Sequence, residues 1–293
     1  MNVQLIIDAR CQLGEGMCWD ADAGQFLWVD IQVATGASKS WASPQRIGWL
    51  IRHGTGPGWV AGLQEGMALV RLTEAPELEV IRWLARPFDA QPGMRLNDAK
   101  ADALGRIWAG SLNNDDESQP MGSLFCLGTH GELSVVDTGY GVANGPALHP
   151  DGQLMLHTDS AKRTIYAFDL NPRGQALNKR IWKQLDAGEG YPDGMNFDHE
   201  GCLWLAHWGA GCVSRYDTQG CLLARVQLPA SQVTNMAFGG EQLDRLFVTT
   251  ARVGLSTQQL AHEPLAGGVF EITGHGTRGL PALAYQGLTT PAA

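Results

Sequence analysis

The chain has 293 residues, a formal net charge of -9, 44% hydrophobic residues and six cysteines. The length admits one large domain or two small ones, and the acidic balance disfavours nucleic acid as a partner. No run of about 18 apolar residues exists for a membrane span, no basic region with an apolar core opens the chain, and Cys11, Cys18, Cys126, Cys202, Cys212 and Cys221 form no C-x-x-C pair; the expectation is a soluble cytoplasmic protein with free thiols, without a disulfide framework or zinc knuckle.

The first predicted strand is Val3-Gln4-Leu5-Ile6-Ile7. After it, Leu13-Gly14-Glu15-Gly16 opens a unit of strand, tight turn and returning strand that ends on Phe26-Leu27-Trp28. The same unit recurs from Arg95-Leu96-Asn97-Asp98 to Ile107-Trp108, from Ala143-Asn144-Gly145 to Leu154-Met155, and from Tyr191-Pro192-Asp193-Gly194 to Leu203-Trp204. Asp, Pro and Gly supply each hairpin turn. A fifth copy runs from Phe238 to Val248 with a longer turn, and a weaker sixth from Trp59 to Leu69. With Trp28, Ala68, Trp108, Met155, Trp204 and Phe247 as markers, the period is roughly 40 to 49 residues, the range of four-stranded propeller blades. The expectation is one domain over residues 1–293, an all-β, six-bladed propeller of four-stranded blades around a central channel that contains a metal. The first strand and Gly268-Val269-Phe270-Glu271-Ile272 are expected in one last blade that closes the ring, and Gly287 to Ala293 is expected to fray. The ten Trp residues are read as packing within blades.

Glu15, Asn97, Asn144 and Asp193 each stand five residues before the first turn residue of their unit (Asp20, Asp102, His149 and Asp198). A propeller would bring all four to one rim. Asn and Asp are ordinary turn formers, but ordinary turns do not require the same offset four times. Carboxylate and amide oxygens without thiolates or clustered imidazoles suit one hard divalent cation, calcium first, with magnesium, manganese, zinc and iron(II) as alternatives. There is no G-x-S-x-G elbow for an acyl-serine hydrolase. Gly54-Thr55-Gly56-Pro57-Gly58 lacks the Lys-Ser/Thr of a phosphate loop and reads as a plain loop. The eight histidines show no H-E-x-x-H pattern; His207, beside Trp208, is the one kept as a pocket candidate.

On these residues the chain resembles the gluconolactonase and regucalcin (senescence marker protein) family of six-bladed propellers. The similarity runs through Leu13-Gly14-Glu15-Gly16 with Trp28-Val29-Asp30-Ile31, Arg95-Leu96-Asn97-Asp98 with Gly105-Arg106-Ile107-Trp108, Asn144-Gly145 with Pro150-Asp151-Gly152, and Tyr191 to Met195 with Leu203-Trp204. It continues through Ala237 to Gly240, Val248 to Arg252 and Pro264 to Gly268. The resemblance implies that Glu15, Asn144 and Asp193 bind the metal and that Arg95 and Asn97 hold the substrate. Asp115 falls where animal members carry an acidic substrate contact, although the loop Asn113 to Ser118 differs. Met17-Cys18 departs from a family pattern that more often has Pro after Glu15-Gly16. Leu156 to Ser160 and Thr164 to Leu170 look closest to the bacterial xylonolactonases and L-arabinolactonases.

The implied activity is metal-assisted hydrolysis of a sugar lactone to the aldonic acid, with a small-molecule substrate, no membrane or nucleic acid, and no obligatory protein partner. Asp193 is the candidate base for the attacking water. Two rivals keep the metal: a calcium-binding regulatory propeller without catalysis, and a phosphotriesterase. Arg95 and Asn97 argue against both, because a polar, sugar-like rim serves neither. A third rival is an interaction scaffold, which the convergence of the conspicuous residues on one axis opposes.

Overall fold

A computed structural model describes residues 1–32, 39–88, 91 and 93–287, which form an all-β propeller. Four of its sheets are antiparallel meanders of four consecutive strands. Their innermost strands are Ile47–Arg52, Met94–Ala101, Ala143–Leu148 and Tyr191–Phe197, and their outermost are Leu78–Ala85, Leu133–Tyr140, Ala176–Gln184 and Leu222–Gln227. A fifth four-stranded sheet runs outward from Val233–Gly239 through Arg245–Thr250 and Val269–Thr273 and takes Asn2–Ile7 as its outer strand. Leu5 opposes Phe270 and Val3 opposes Ile272, so the two ends of the chain close one blade as expected.

The remaining sheet has two strands among the described residues, Gly14–Asp20 and Gln25–Asp30. The expectation of six four-stranded blades is therefore corrected to five four-stranded blades and one two-stranded sheet. The physical reason lies just downstream. Ala42 pairs in parallel with Glu77 at the outer edge of the neighbouring blade, Trp41 Nε1 donates to Thr73 O at 2.7 Å, and the chain thereby leaves its own sheet for the next. The innermost strands neighbour one another in cyclic order, from Gly14–Asp20 round to Val233–Gly239 and back, so the six sheets close a ring.

Sequence sets the hairpins through a recurring aspartate. Asp198 Oδ1 accepts the N–H groups of Glu200 and Cys202, both at 3.0 Å, which fixes the tight turn. Its Oδ2 accepts Trp204 Nε1 at 3.0 Å and Arg215 Nε at 2.8 Å. Asp102 repeats the device with Leu104, Arg106 and Trp108. A tryptophan can thus be wholly buried without an unpaired indole N–H; Trp108 and Trp204 are among the largest fully buried side chains. The first unit departs from the pattern, since Trp28 Nε1 donates to Cys11 Sγ. The six cysteines are free.

The weakest sequence unit is misplaced by one strand. Trp59–Leu63 and Gly66–Leu72 are the second and third strands of their blade, not the first and second. The two-residue turn Gln64-Glu65 imitates the inner hairpin, while the true inner turn is the long Gly54 to Gly58 segment. Past the last strand the chain crosses the far face of the ring: Gly279 N donates to Leu243 O at 2.7 Å and Gln286 N to Gly105 O at 2.9 Å, and Tyr285 is buried with its hydroxyl on Gly128 O at 2.9 Å. Gly287, expected to fray, is buried and accepts Thr55 Oγ1 at 2.8 Å; residues 288–293 lie outside the described residues. No helix among the described residues is long and apolar enough to cross a membrane.

Asp198→Ala strands the Trp204 indole and the Arg215 guanidinium, and a loss of roughly 3 kcal/mol is expected from breaking such a buried pair; chemical denaturation checks it against wild type. His157 is fully buried, edge-on to Tyr140 at 4.8 Å, with neither ring nitrogen paired, and burial pushes it down to about 3. Burial likewise pushes His207 down to about 4. In the unfolded chain both take up protons near pH 6.5, so the stability they permit above that pH is lost as pH falls towards 4. The urea midpoint should fall between pH 6.5 and 4.5 and fall less steeply in His157→Phe; an unchanged slope in that variant contradicts this assignment.

Candidate active site at the channel mouth

Each innermost strand carries a register shift near the same end: between Glu15 and Cys18, Ile47 and Trp49, Leu96 and Ala99, Asn144 and Ala147, Pro192 and Met195, and Val233 and Met236. Bulges interrupt pairing and re-aim side chains. These interruptions contain or border Glu15, Asn97, Asn144 and Asp193, which explains why the four share an offset from the turn. Two glycines make room where the strands converge. A Cβ on Gly48 would lie 2.2 Å from Asn97 O, and one on Gly194 would lie 2.6 Å from Asn235 Cγ.

A hydrogen-bonded belt crosses three inner strands. Arg95 Nη1 donates to Asn97 Oδ1 at 2.7 Å, Asn97 Nδ2 to Asn144 Oδ1 at 2.8 Å, Asn144 Nδ2 to Ser160 Oγ at 3.0 Å, and Ser160 Oγ to Pro192 O at 2.6 Å. The belt fixes both amides, because each nitrogen donates and each oxygen accepts. Across the ring, Glu15 Oε2 accepts Asn235 Nδ2 at 3.0 Å and Gly16 N at 3.2 Å. Asp193 accepts Gly194 N–H, and its Oδ1 is buried without a partner. Glu15, Arg95, Asn97, Asn144 and Asp193 each keep 5–8% of their surface exposed, so all five still reach solvent.

The electrostatics are unbalanced. Glu15, Asp98 and Asp193 are buried within mutual influence, with Arg95 as the counter-charge acting on Glu15 and Asp193. Burial, then Asp98, pushes Glu15 up to about 8. Burial, then Glu15 and Asp98, pushes Asp193 well above the ordinary carboxylate range, and burial raises Asp98 as well. Arg95 is lowered to about 10, chiefly by burial, and so stays charged at neutral pH. A bound cation opposes all three carboxylate shifts. Among the described residues no three carboxylate, imidazole or thiolate side chains converge as a metal cage by themselves. A cation held here would need an amide oxygen as well, and Asn144 Oδ1, which accepts Asn97 Nδ2, keeps a second lone pair to give. Glu15, Asn144 and Asp193 are an all-oxygen donor set with an orphaned carboxylate oxygen, which fits a hard divalent cation.

Beyond Asp98 the axis continues into a cavity of about 160 Å³ lined by Trp49, Lys100 and Phe238 and closed on the far face by Leu280 to Leu283. Arg95 Nε donates to Asn114 Oδ1 at 3.0 Å. Its neighbour Asp115 is exposed, beside Gly93, with its own N–H on Asn113 Oδ1, so Asn114 and not Asp115 makes the contact with Arg95. His207 is not in the cluster: it is fully buried, with Nδ1 on Glu189 O at 2.8 Å. Sequence reasoning missed Asp98, Asn114, Ser160 and Asn235. The signal for Asn235 was present, because it precedes the turn residue Gly240 by five positions, as Asp193 precedes Asp198.

Residues 13–252 match the family described as the SMP-30/Gluconolactonase/LRE-like region. The chain is 33% identical over 260 residues to pentonolactonase XacC of Haloferax volcanii, covering 86% of each. Among solved structures it is similar to a luciferin-regenerating enzyme, with a TM-score of 0.90, 27% identity and 97% and 99% of the two chains covered. It is also similar to a calcium-binding protein, regucalcin, from Agrobacterium tumefaciens, with a TM-score of 0.87, 25% identity and 97% of each covered. A family match spanning most of the chain and a ring whose inner strands converge on one polar cluster lead to the same conclusion: the chain belongs to the SMP-30/gluconolactonase/LRE-like family.

Proposed function

We propose that this protein hydrolyses a sugar lactone to the aldonic acid with one divalent metal, calcium by preference, held by Glu15, Asn144 and Asp193. In this reading residues 1–293 act as one domain, the two-stranded sheet serves as the sixth blade, and the free cysteines agree with a cytoplasmic setting. The observation that carries the reading is the pairing of a buried, under-neutralised carboxylate cluster with a guanidinium and amide at one channel mouth. The similarity to a pentonolactonase favours a five-carbon lactone.

The metal, when bound, polarises the lactone carbonyl and offsets charge that develops on its oxygen. The protein's own groups do the rest. Arg95, whose Nε and Nη1 are engaged by Asn114, Leu96 and Asn97, offers Nη2 to a sugar hydroxyl, and Asn97 orients beside it. With one carboxylate oxygen on the cation, Asp193 uses the other to accept a proton from the water that attacks the carbonyl carbon. As the bond to the ring oxygen breaks, Asp193 returns that proton to the leaving alkoxide, so the ring opens to a hydroxy acid and the base is regenerated.

Asp193→Ala should lower kcat by at least about 10²-fold, the usual scale of a lost general base, whereas Asn97→Ala should chiefly raise KM, by about tenfold for one lost polar contact. Steady-state kinetics separate the two, and a fully active Asp193→Ala refutes the role. The reading as a whole is tested by acid release from xylonolactone, arabinolactone, galactonolactone and gluconolactone after chelation and add-back of single metals. Turnover should vanish on chelation and return with calcium or a related divalent ion. Tight metal binding without turnover of any lactone would favour a regulatory calcium propeller instead.

A further inference from the structure

We infer that Asn235 is the positioning residue of the metal centre: it holds Glu15 in its ligating orientation and sets its spacing from Asp193. The inference rests on the metal-site reading above. Asn235 is fully buried, so unlike the five residues at the channel mouth it has no access to a substrate. Its amide is nonetheless committed at both ends. Nδ2 donates to Glu15 Oε2 at 3.0 Å, while Oδ1 accepts Met236 N at 2.8 Å, which fixes which end of the amide faces the carboxylate. Nδ2 thereby occupies Oε2 and leaves Oε1 as the oxygen to ligate.

The same residue touches the strand of Asp193. A Cβ on Gly194 would lie 2.6 Å from Asn235 Cγ and 2.9 Å from its Cα, so the amide is seated directly on the backbone beside Asp193. Its own main chain is locked, with Asn235 N on Thr249 Oγ1 at 3.2 Å. The preceding Thr234 hydroxyl donates to Gly14 O, one residue before Glu15. Thr234 therefore clasps the backbone, and Asn235 the side chain, of the Gly14-Glu15 segment at the seam where the last blade meets the first sheet. The clasp is made in the same register as the other site residues, five positions ahead of a turn. The last blade thus contributes its rim position to orienting a ligand.

Outer partners of metal ligands are commonly worth about 10- to 100-fold in affinity. Calorimetric titration of the chelated full-length protein with calcium, and separately with manganese, should show Asn235→Ala raising Kd by about that factor. Asn235→Ser, which keeps a small polar side chain but does not reach Glu15, should do the same and serves if the alanine variant does not fold. At saturating metal, lactone KM should match wild type, because Asn235 does not meet substrate. A wild-type Kd in a folded variant, whether or not the metal-free Tm has dropped, overturns the inference and leaves Asn235 a packing residue. A wild-type protein that binds neither metal removes the metal reading itself, a different failure visible before any variant is made.

Discussion

Three carboxylates buried together, with Arg95 acting on Glu15 and Asp193 and Lys100 acting on Asp98, constrain everything else at the centre of this ring. Isolated buried charges are costly, and Glu15, Asp98 and Asp193 come from three different inner strands, so only the closed propeller forces them together. The result is a site in which burial and mutual repulsion hold Glu15 and Asp193 towards their protonated forms. Arg95 relieves part of the imbalance and presents a donor to the same opening.

The scaffold achieves this convergence with repeated local devices. Turn aspartates bracket buried tryptophans in two blades, Asp102 with Trp108 and Asp198 with Trp204, and so fix where those two inner strands end. A ladder interruption near the same end of each inner strand frees a side chain to turn towards the axis. Glycine at positions 48 and 194 lets backbone and amide approach where a Cβ would collide. The belt from Arg95 to Pro192 O then links inner strands that pair with different partners and makes the polar rim one connected unit.

Much of this was legible in the sequence, because a repeat with an invariant offset needs only counting. The offset of Glu15, Asn97, Asn144 and Asp193 from their turns survives in the structure as a shared rim, and the N-terminal strand closes the last blade as its apolar run suggested. The failures have physical causes. The Trp59 to Leu69 unit was read one strand too far out because the tight Gln64-Glu65 turn outcompetes the glycine-rich inner turn as a hairpin signal. Among the described residues the four-stranded pattern breaks after Asp30, and Trp41 and Ala42 attach to the neighbouring blade. Asp98 hid behind Asn97, and Asn235 hid because it lies upstream of Phe238, where the fifth copy is read, so its place five positions before the turn goes uncounted. Asn114 carries no charge and no repeat offset, so nothing in the sequence marks it as the partner of Arg95.

The most direct test of the central claim is anomalous scattering from crystals of the chelated protein soaked in manganese. The account predicts one strong peak at the axis, within ligating distance of Glu15, Asn144 and Asp193. A strong peak elsewhere, with these three oxygens unligated, would contradict it.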